Sequence, residues 1–309
     1  MGKIAFVFPG QGSQAVGMGK AAFDMSDVAQ RVFKEADAAL RFSLSTLCFE
    51  GPDEALRLTE NTQPALVAAS TAAWRVLAER GLKPDYVAGH SLGEYSALVA
   101  AGSLSFADAL RLVRQRGQYM QAAVPAGVGA MAALLRLPAG TLDAILEAAA
   151  QGEVVSAANL NSPDQIVIAG HAGAVARAME LAKAAGAKRA ISLPVSAPFH
   201  CSLMAPAQLQ MKAHLDQATF HHLNVPLVNN WQAREITSAE DAREGLYQQI
   251  PNPVRWEQTV RHLAVQGVTR AFEVGPGAVL MGLVRNISSD IVTVRAGEAE
   301  DIDVIPFPT

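Results

Sequence analysis

Tyr86-Val87-Ala88-Gly89-His90-Ser91-Leu92-Gly93-Glu94-Tyr95-Ser96-Ala97-Leu98-Val99-Ala100 is the stretch whose reading decides the fold. Its first three residues form a short apolar run that reads as a buried strand, and the residues from Glu94 to Ala100 suit a helix. A serine between two glycines at a strand-to-helix turn is the nucleophile-elbow pattern G-x-S-x-G. The glycines have a physical cause, because the turn is sharp and a side chain on either flank would crowd the serine. Leu92 N–H would then lie at a helix N-terminus, where unpaired amides and the helix dipole favour a developing oxyanion. His90 is predicted to point away from the side on which Ser91 acts. The other reading of these five residues is a Gly-rich turn with an incidental serine.

Working outward, 309 residues allow one large α/β domain or two smaller ones, with ample core. Half of the residues are hydrophobic and 17% are charged, which excludes a disordered chain and indicates a compact soluble one. The formal charge of −4, from 25 basic and 29 acidic residues, gives no general attraction to nucleic acid. No apolar run approaches the ~20 residues that span a bilayer, so no membrane association is expected. The N-terminus runs straight into a strand, Lys3-Ile4-Ala5-Phe6-Val7-Phe8, without a cleavable signal pattern. Met1-Gly2 hints at myristoylation, but Phe6 stands where Ser or Thr is required. Cys48 and Cys201 are far apart in the chain, which points away from a disulfide framework or a zinc site and toward a reducing cytoplasm.

The first half reads as strand, Gly-rich loop, helix, helix, strand, elbow, helix. Ser26 and Asp27 cap a helix with Val28, Val32, Phe33, Ala36 and Leu40 on one face, and Gln63-Pro64 opens another that runs to about Arg80. Strands alternating with helices argue for a mainly parallel sheet. The texture changes near Gly127. Met131–Leu135, Val154–Ala158, Gln165–Ala169 and Arg189–Leu193 read as strands, with helices over Ala139–Ala150 and Ala172–Ala185. That order, β-α-β-β-α-β, is the ferredoxin-like arrangement. The expectation is an α/β chain: a hydrolase-like core over residues 1–126 and 197–309, with a ferredoxin-like subdomain inserted over 127–196. Pro226-Leu227-Val228 and Arg270–Val274 return to the core, and the acidic, Pro-containing tail from Ser288 is expected to pack loosely.

Three further places carry chemistry. Gly10-Gln11-Gly12-Ser13-Gln14-Ala15 fits the dinucleotide fingerprint, which requires an acidic residue at the end of a second strand about twenty positions on. Glu35 and Asp37 have that spacing but fall inside the periodic helix. The rival reading is a loop beside the elbow, where Gln11 N–H would be a second oxyanion donor. Arg116 follows Ser105 and Asp108, which cap a helix, and falls within about 20° of Ala109 on the edge of the apolar face, with Arg111 opposite in solvent. A guanidinium there needs an anionic partner, either an internal acid or a ligand. Gly117 would let another element approach. His200 lies in Ser196-Ala197-Pro198-Phe199-His200-Cys201-Ser202, a loop after the inserted subdomain, where clefts commonly form.

Taken together these residues resemble the malonyl-CoA:acyl carrier protein transacylase family. The likeness runs from Phe8-Pro9-Gly10-Gln11-Gly12-Ser13-Gln14 through Asn61-Thr62-Gln63-Pro64-Ala65, the elbow with Glu94, and Arg116-Gly117. It continues through Asn159-Leu160-Asn161-Ser162-Pro163 and Asn252-Pro253-Val254-Arg255-Trp256 to Glu273-Val274-Gly275-Pro276-Gly277. The resemblance implies Ser91 as nucleophile and His200 as general base and acid, with the main-chain carbonyl of Gln249 holding the histidine. It implies an oxyanion hole from Gln11 and Leu92, Arg116 on the malonyl carboxylate, and Gln63 and Asn161 lining the pocket. Phe199 replaces a serine common in the family, which by the same resemblance argues against a branched acyl group.

The implied reaction is a ping-pong exchange from malonyl-CoA to the phosphopantetheine thiol of holo-acyl carrier protein. It would use no cofactor beyond the coenzyme A thioester, which is a substrate, and the chain would be a monomer. The family's carrier protein is acidic, so Lys183, Lys188 and Arg189 are candidates for its dock. Rival readings are a serine thioesterase with an acidic triad member, an acyltransferase of a polyketide assembly line, and a carrier-binding module with a silent site.

Overall fold

The computed structural model describes residues 2–195 and 197–305. Ser196, the expected end of the subdomain, and residues 306–309 lie outside the described residues. Among the described residues ten strands form two sheets: β1 (Lys3–Phe8), β2 (Tyr86–Gly89), β3 (Gly129–Leu135), β4 (Val155–Ser162), β5 (Gln165–His171), β6 (Arg189–Ser192), β7 (Leu227–Val228), β8 (Glu235–Ile236), β9 (Val268–Glu273) and β10 (Val292–Arg295). The larger sheet has the order β10-β9-β1-β2-β7-β8, parallel except where β8 pairs antiparallel with β7. Along β1, Phe6 and Phe8 enter one apolar cluster while Ala5 and Val7 enter another on the opposite face. Burial on both faces explains why β1 and β2 read as continuous apolar runs, as central parallel strands do.

The smaller sheet, antiparallel with the order β4-β5-β3-β6, carries the helices Leu142–Ala150 and Ala172–Ala184. Its own cluster includes Ala132, Leu134, Ile145, Ile168 and Val175. This is the expected ferredoxin-like unit. It is tied to the core where Val254 N–H donates to Ala158 O (2.9 Å) and Leu160 N–H to Val254 O (2.9 Å).

Two local expectations are corrected. The helix expected to open at Gln63-Pro64 spans Thr59–Glu79, with Pro64 inside its second turn. There proline forgoes only its bond to Glu60 O, and the preceding turn is held by Gln63 Nε2 donating to Thr59 Oγ1 (3.0 Å). Over its described residues, 288–305, the tail is not loose. β10 adds to β9, and the helix Ala299–Asp303 is closed by a Glu298–Asp301 capping box with Ile302 fully buried. Among the described residues no helix is long and apolar enough to cross a membrane.

Candidate active site

The elbow follows β2 at the centre of the parallel sheet, on the side where the strands' carboxyl ends open. Ser91 has φ +53°, in the left-handed region. The sterics are severe: a Cβ on Gly89 would lie 2.0 Å from Gly93 C, and one on Gly93 would lie 2.2 Å from Phe8 O. Only glycine fits both flanks. The helix Gly93–Ala100 begins immediately, with Leu92 as its N-cap. Among the described residues no acceptor takes the Leu92 or the Gln11 N–H.

His200, 3% exposed and itself at φ +59°, places Nε2 2.7 Å from Ser91 Oγ. Its Nδ1 lies 2.8 Å from Gln249 O, a carbonyl where a hydrolase would place a carboxylate. Burial first, and then the Arg116 charge, push the imidazole down to about 3, with the Gln249 bond acting in the opposite sense. It is therefore neutral at pH 7 and can accept a proton.

Arg116 comes from the helix Phe106–Ala122, which Ser105 caps through Asp108 N–H (3.1 Å). The residue is 2% exposed. Nη1 donates to Gln63 Oε1 (2.7 Å), and Nη2 donates to Gln249 Oε1 (2.9 Å) and Ser91 Oγ (3.1 Å). Nε is buried without a partner. No carboxylate within ion-pair distance answers this charge among the described residues. Arg111, as expected, is exposed and pairs with Asp108. Gly117 allows the close packing anticipated for it, since a Cβ there would lie 2.6 Å from Glu60 Cα.

A cavity of about 130 Å³ joins these groups, lined by Gln11, Gln63, Ser91, Leu92, Phe199 and His200, with Arg116 at its wall. The ferredoxin-like unit contributes Met131 and Asn159 to the same walls. Asn161 is not among the lining residues. The register of β4 against β5 slips twice, between Ala157 and Asn159 and between Leu160 and Ser162, and the second slip turns Asn161 to His90 Nε2 (2.8 Å). His90 is itself among the lining residues, while its ring is held by Asn161 and packs near Trp256, neither of which lines the cavity.

The dinucleotide reading fails. Glu35 and Asp37 lie in the helix Asp27–Leu40, where Glu35 pairs with Arg75, while Gly12 N–H is taken by Gln14 Oε1 (2.7 Å). Sequence reasoning missed Asn230. It accepts from Ser91 N–H (2.6 Å) and donates to Gly89 O (2.6 Å), clamping both sides of the elbow. Its only signal is a pair of asparagines directly after β7, at the carboxyl end of the sheet. Among the described residues no three His, Cys, Asp or Glu side chains gather to hold a metal.

An elbow serine beside a histidine on a parallel α/β sheet places the chain among the hydrolases and acyltransferases that share this turn. The acyl transferase domain family matches residues 5–306. The malonyl CoA-acyl carrier protein transacylase of Bacillus subtilis (strain 168) is 49% identical over 305 residues, covering 98% of this chain and 96% of that one. Its counterpart in Escherichia coli (strain K12) is 51% identical over 297 residues, 96% of each chain. The acyl carrier protein S-malonyltransferase of Vibrio cholerae superposes with a TM-score of 0.96 at 46% identity, covering 98% of this chain and all of that one. A malonyl-transacylase solved in complex with a type II PKS acyl-carrier protein matches with a TM-score of 0.95 at 45% identity, over 97% and 98% of the two chains. The chain belongs to the malonyl CoA-acyl carrier protein transacylase family, and it is an acyltransferase.

Proposed function

We propose that this chain transfers a malonyl group from malonyl-CoA to the phosphopantetheine thiol of holo-acyl carrier protein, through a malonyl ester on Ser91. The observation that carries this reading is Arg116: a buried side chain with no carboxylate partner among the described residues, one guanidinium nitrogen of which touches the elbow serine. A charge left this way needs an anion from outside. The free carboxylate of a malonyl group supplies it and sets the thioester carbonyl beside Oγ.

Each residue then has one task. His200 Nε2 takes the Oγ proton as Ser91 attacks the thioester carbon, while the Nδ1–H···O=C bond to Gln249 fixes the tautomer. Leu92 and Gln11 N–H groups receive the oxyanion. Collapse expels coenzyme A, whose sulfur leaves with the proton from His200. In the second half the carrier thiol loses its proton to His200 and attacks the ester, and Ser91 Oγ recovers that proton. The exchange moves an acyl group between oxygen and sulfur without redox change, so the chemistry calls for no cofactor. Gln63 positions the guanidinium and Phe199 limits the width of the acyl site. Asn161 acts at one remove, through His90.

The buried, unpaired Cys48 and Cys201 agree with a reducing cytoplasm, and we take the monomer as the working unit. The carrier protein of fatty-acid synthesis is the first choice of acceptor. A polyketide carrier is the second, favoured by the likeness to the transacylase solved with a type II PKS carrier protein.

Intact-protein mass spectrometry after mixing with malonyl-CoA or acetyl-CoA tests the reading. Wild type should carry a malonyl adduct that holo-carrier protein discharges, and Ser91→Ala should carry none. Arg116→Ala should lose malonyl preference, since a broken charge pair in a dry site costs about 2–5 kcal/mol. An adduct that water clears at once would point to a hydrolase instead.

A further inference from the structure

Glu94 closes the elbow motif, is fully buried, and touches no reacting atom in the mechanism above. Its Oε2 accepts from Gln249 Nε2 (3.0 Å) and from Asn230 N–H (3.1 Å). The other hydrogen of Gln249 Nε2 goes to Ser91 O (3.3 Å). Both amide hydrogens therefore have acceptors on one side, and Gln249 Oε1 is left facing Arg116 Nη2 at 2.9 Å. The two ends of a carboxamide are nearly equal in shape, so its partners alone decide which end faces where. Reversal would set donor against donor at Arg116, and oxygen against oxygen at both Glu94 and Ser91. The main chain of the same Gln249 holds His200 Nδ1.

We propose that Glu94 is a positioning residue for recognition of the malonyl carboxylate: by accepting from Gln249 Nε2 it turns Gln249 Oε1 to Arg116 and aims the guanidinium at Ser91. This rests on the reading of Arg116 as the carboxylate receptor. Burial pushes the Glu94 carboxyl up to about 7, against the pull of the Asn230 and Gln249 bonds and the Arg116 charge. Tyr95 is the other titratable side chain whose charge state is coupled to Glu94 and Arg116. Oε2 can accept whether the acid is ionised or neutral, so the role lies in an acceptor at that place and not in a charge. Glutamine can fill it, with its oxygen toward the two donors.

The test measures loading of Ser91 from malonyl-CoA and from acetyl-CoA on the same preparation, so that loss of folded protein cancels in the ratio. Glu94→Leu removes the acceptor at similar volume, and Gln249→Leu removes the carboxamide but keeps the main-chain carbonyl that serves His200. Each should lower the malonyl-to-acetyl ratio about tenfold, the scale of one charge-assisted hydrogen bond. The double variant should fall no further, and Glu94→Gln should keep the wild-type ratio. The proposal is overturned if Gln249→Leu or Glu94→Leu slows both substrates equally, or if Glu94→Gln loses the ratio. Should Glu94→Leu not fold, the other two variants still decide. A wild type with no malonyl preference overturns this inference together with the reading of Arg116. A clear wild-type preference that survives in Gln249→Leu overturns the inference alone.

Discussion

At the scale of single residues, Arg116 and His200 meet at Ser91 Oγ. The guanidinium lies 3.1 Å and the imidazole 2.7 Å from that oxygen. Burial leads, and the Arg116 charge follows, in holding His200 down to about 3. Burial and that charge together oppose formation of imidazolium. On the proposed reading, a malonyl carboxylate bound to Arg116 would offset the second of these causes and make His200 a stronger base, which an acetyl group would not do. The sign can be checked without a carboxylated substrate, using the pH dependence of Ser91 labelling by a neutral fluorophosphonate. Wild type should keep its labelling rate well below pH 6.5, because His200 stays neutral. Arg116→Ala removes a positive charge, raises the His200 pKa and moves the acid limb to higher pH. The same limb in both proteins would refute the coupling. Local rules singled out Ser91, Arg116 and His200 as candidates, through flanking glycines, helical period and a loop after an inserted unit. The family resemblance supplied the roles of Arg116 and His200, and the structure brings the three side chains together. Asn161 was not legible, since its direction depends on a slip of strand register that no spacing encodes. Glu94 and Asn230 act through partners more than a hundred residues away in the chain.

At the scale of elements, Arg116 reaches the serine because two helices nearly touch. A Cβ on Gly117 would lie 2.6 Å from Glu60 Cα and 2.8 Å from Thr59 O, both backbone atoms that cannot swing aside. Gly117→Ala must therefore part the helices Thr59–Glu79 and Phe106–Ala122, at about 1–3 kcal/mol for an overpacked contact. It should lower the melting temperature and weaken malonyl preference together, because Gln63 and Arg116 sit on the two sides of the gap. Gly282 is the control. It is exposed in the helix Val279–Ile287 with nothing within 4 Å of a Cβ, so Gly282→Ala should hold or raise the melting temperature. A Gly117→Ala protein as stable as the control would remove the packing account. The same contact shows why the helix start at Thr59 was misread. Proline signals a first turn from local propensity, but here tertiary packing carries the helix one turn further back. The tail was misjudged in the same way. Its acidic residues suggested a loose segment, yet Glu298 and Asp301 close a capping box and Ile302 is buried.

At the scale of the whole molecule, the two sheets were legible as an ordered run of strands and helices, and the loop holding His200 marked a cleft between the units, but which residues the inserted unit brings to it was not legible. The core presents Ser91, Arg116 and His200, while Met131 and Asn159 reach the cavity from the inserted unit. The family resemblance made Lys183, Lys188 and Arg189 of the inserted unit the candidates for docking the carrier protein. Lys183 is engaged with Glu180 (2.8 Å), which weakens its claim as a docking residue. Lys188 and Arg189 line a cleft of about 400 Å³ together with Arg136 and Leu283, and Asp164 pairs with Arg136 at 3.5 Å. The cleft is locally basic on a chain whose total charge is −4. Such a patch attracts an acidic protein through a field that salt screens over about 8–10 Å. Reversing both charges, Lys188→Glu with Arg189→Glu, should raise KM for holo-carrier protein and flatten its dependence on ionic strength. Malonyl loading from the coenzyme, measured alone, should change little. An unchanged carrier KM would place the dock on another face, and an equal loss in malonyl loading would assign the cleft to the coenzyme instead of the carrier.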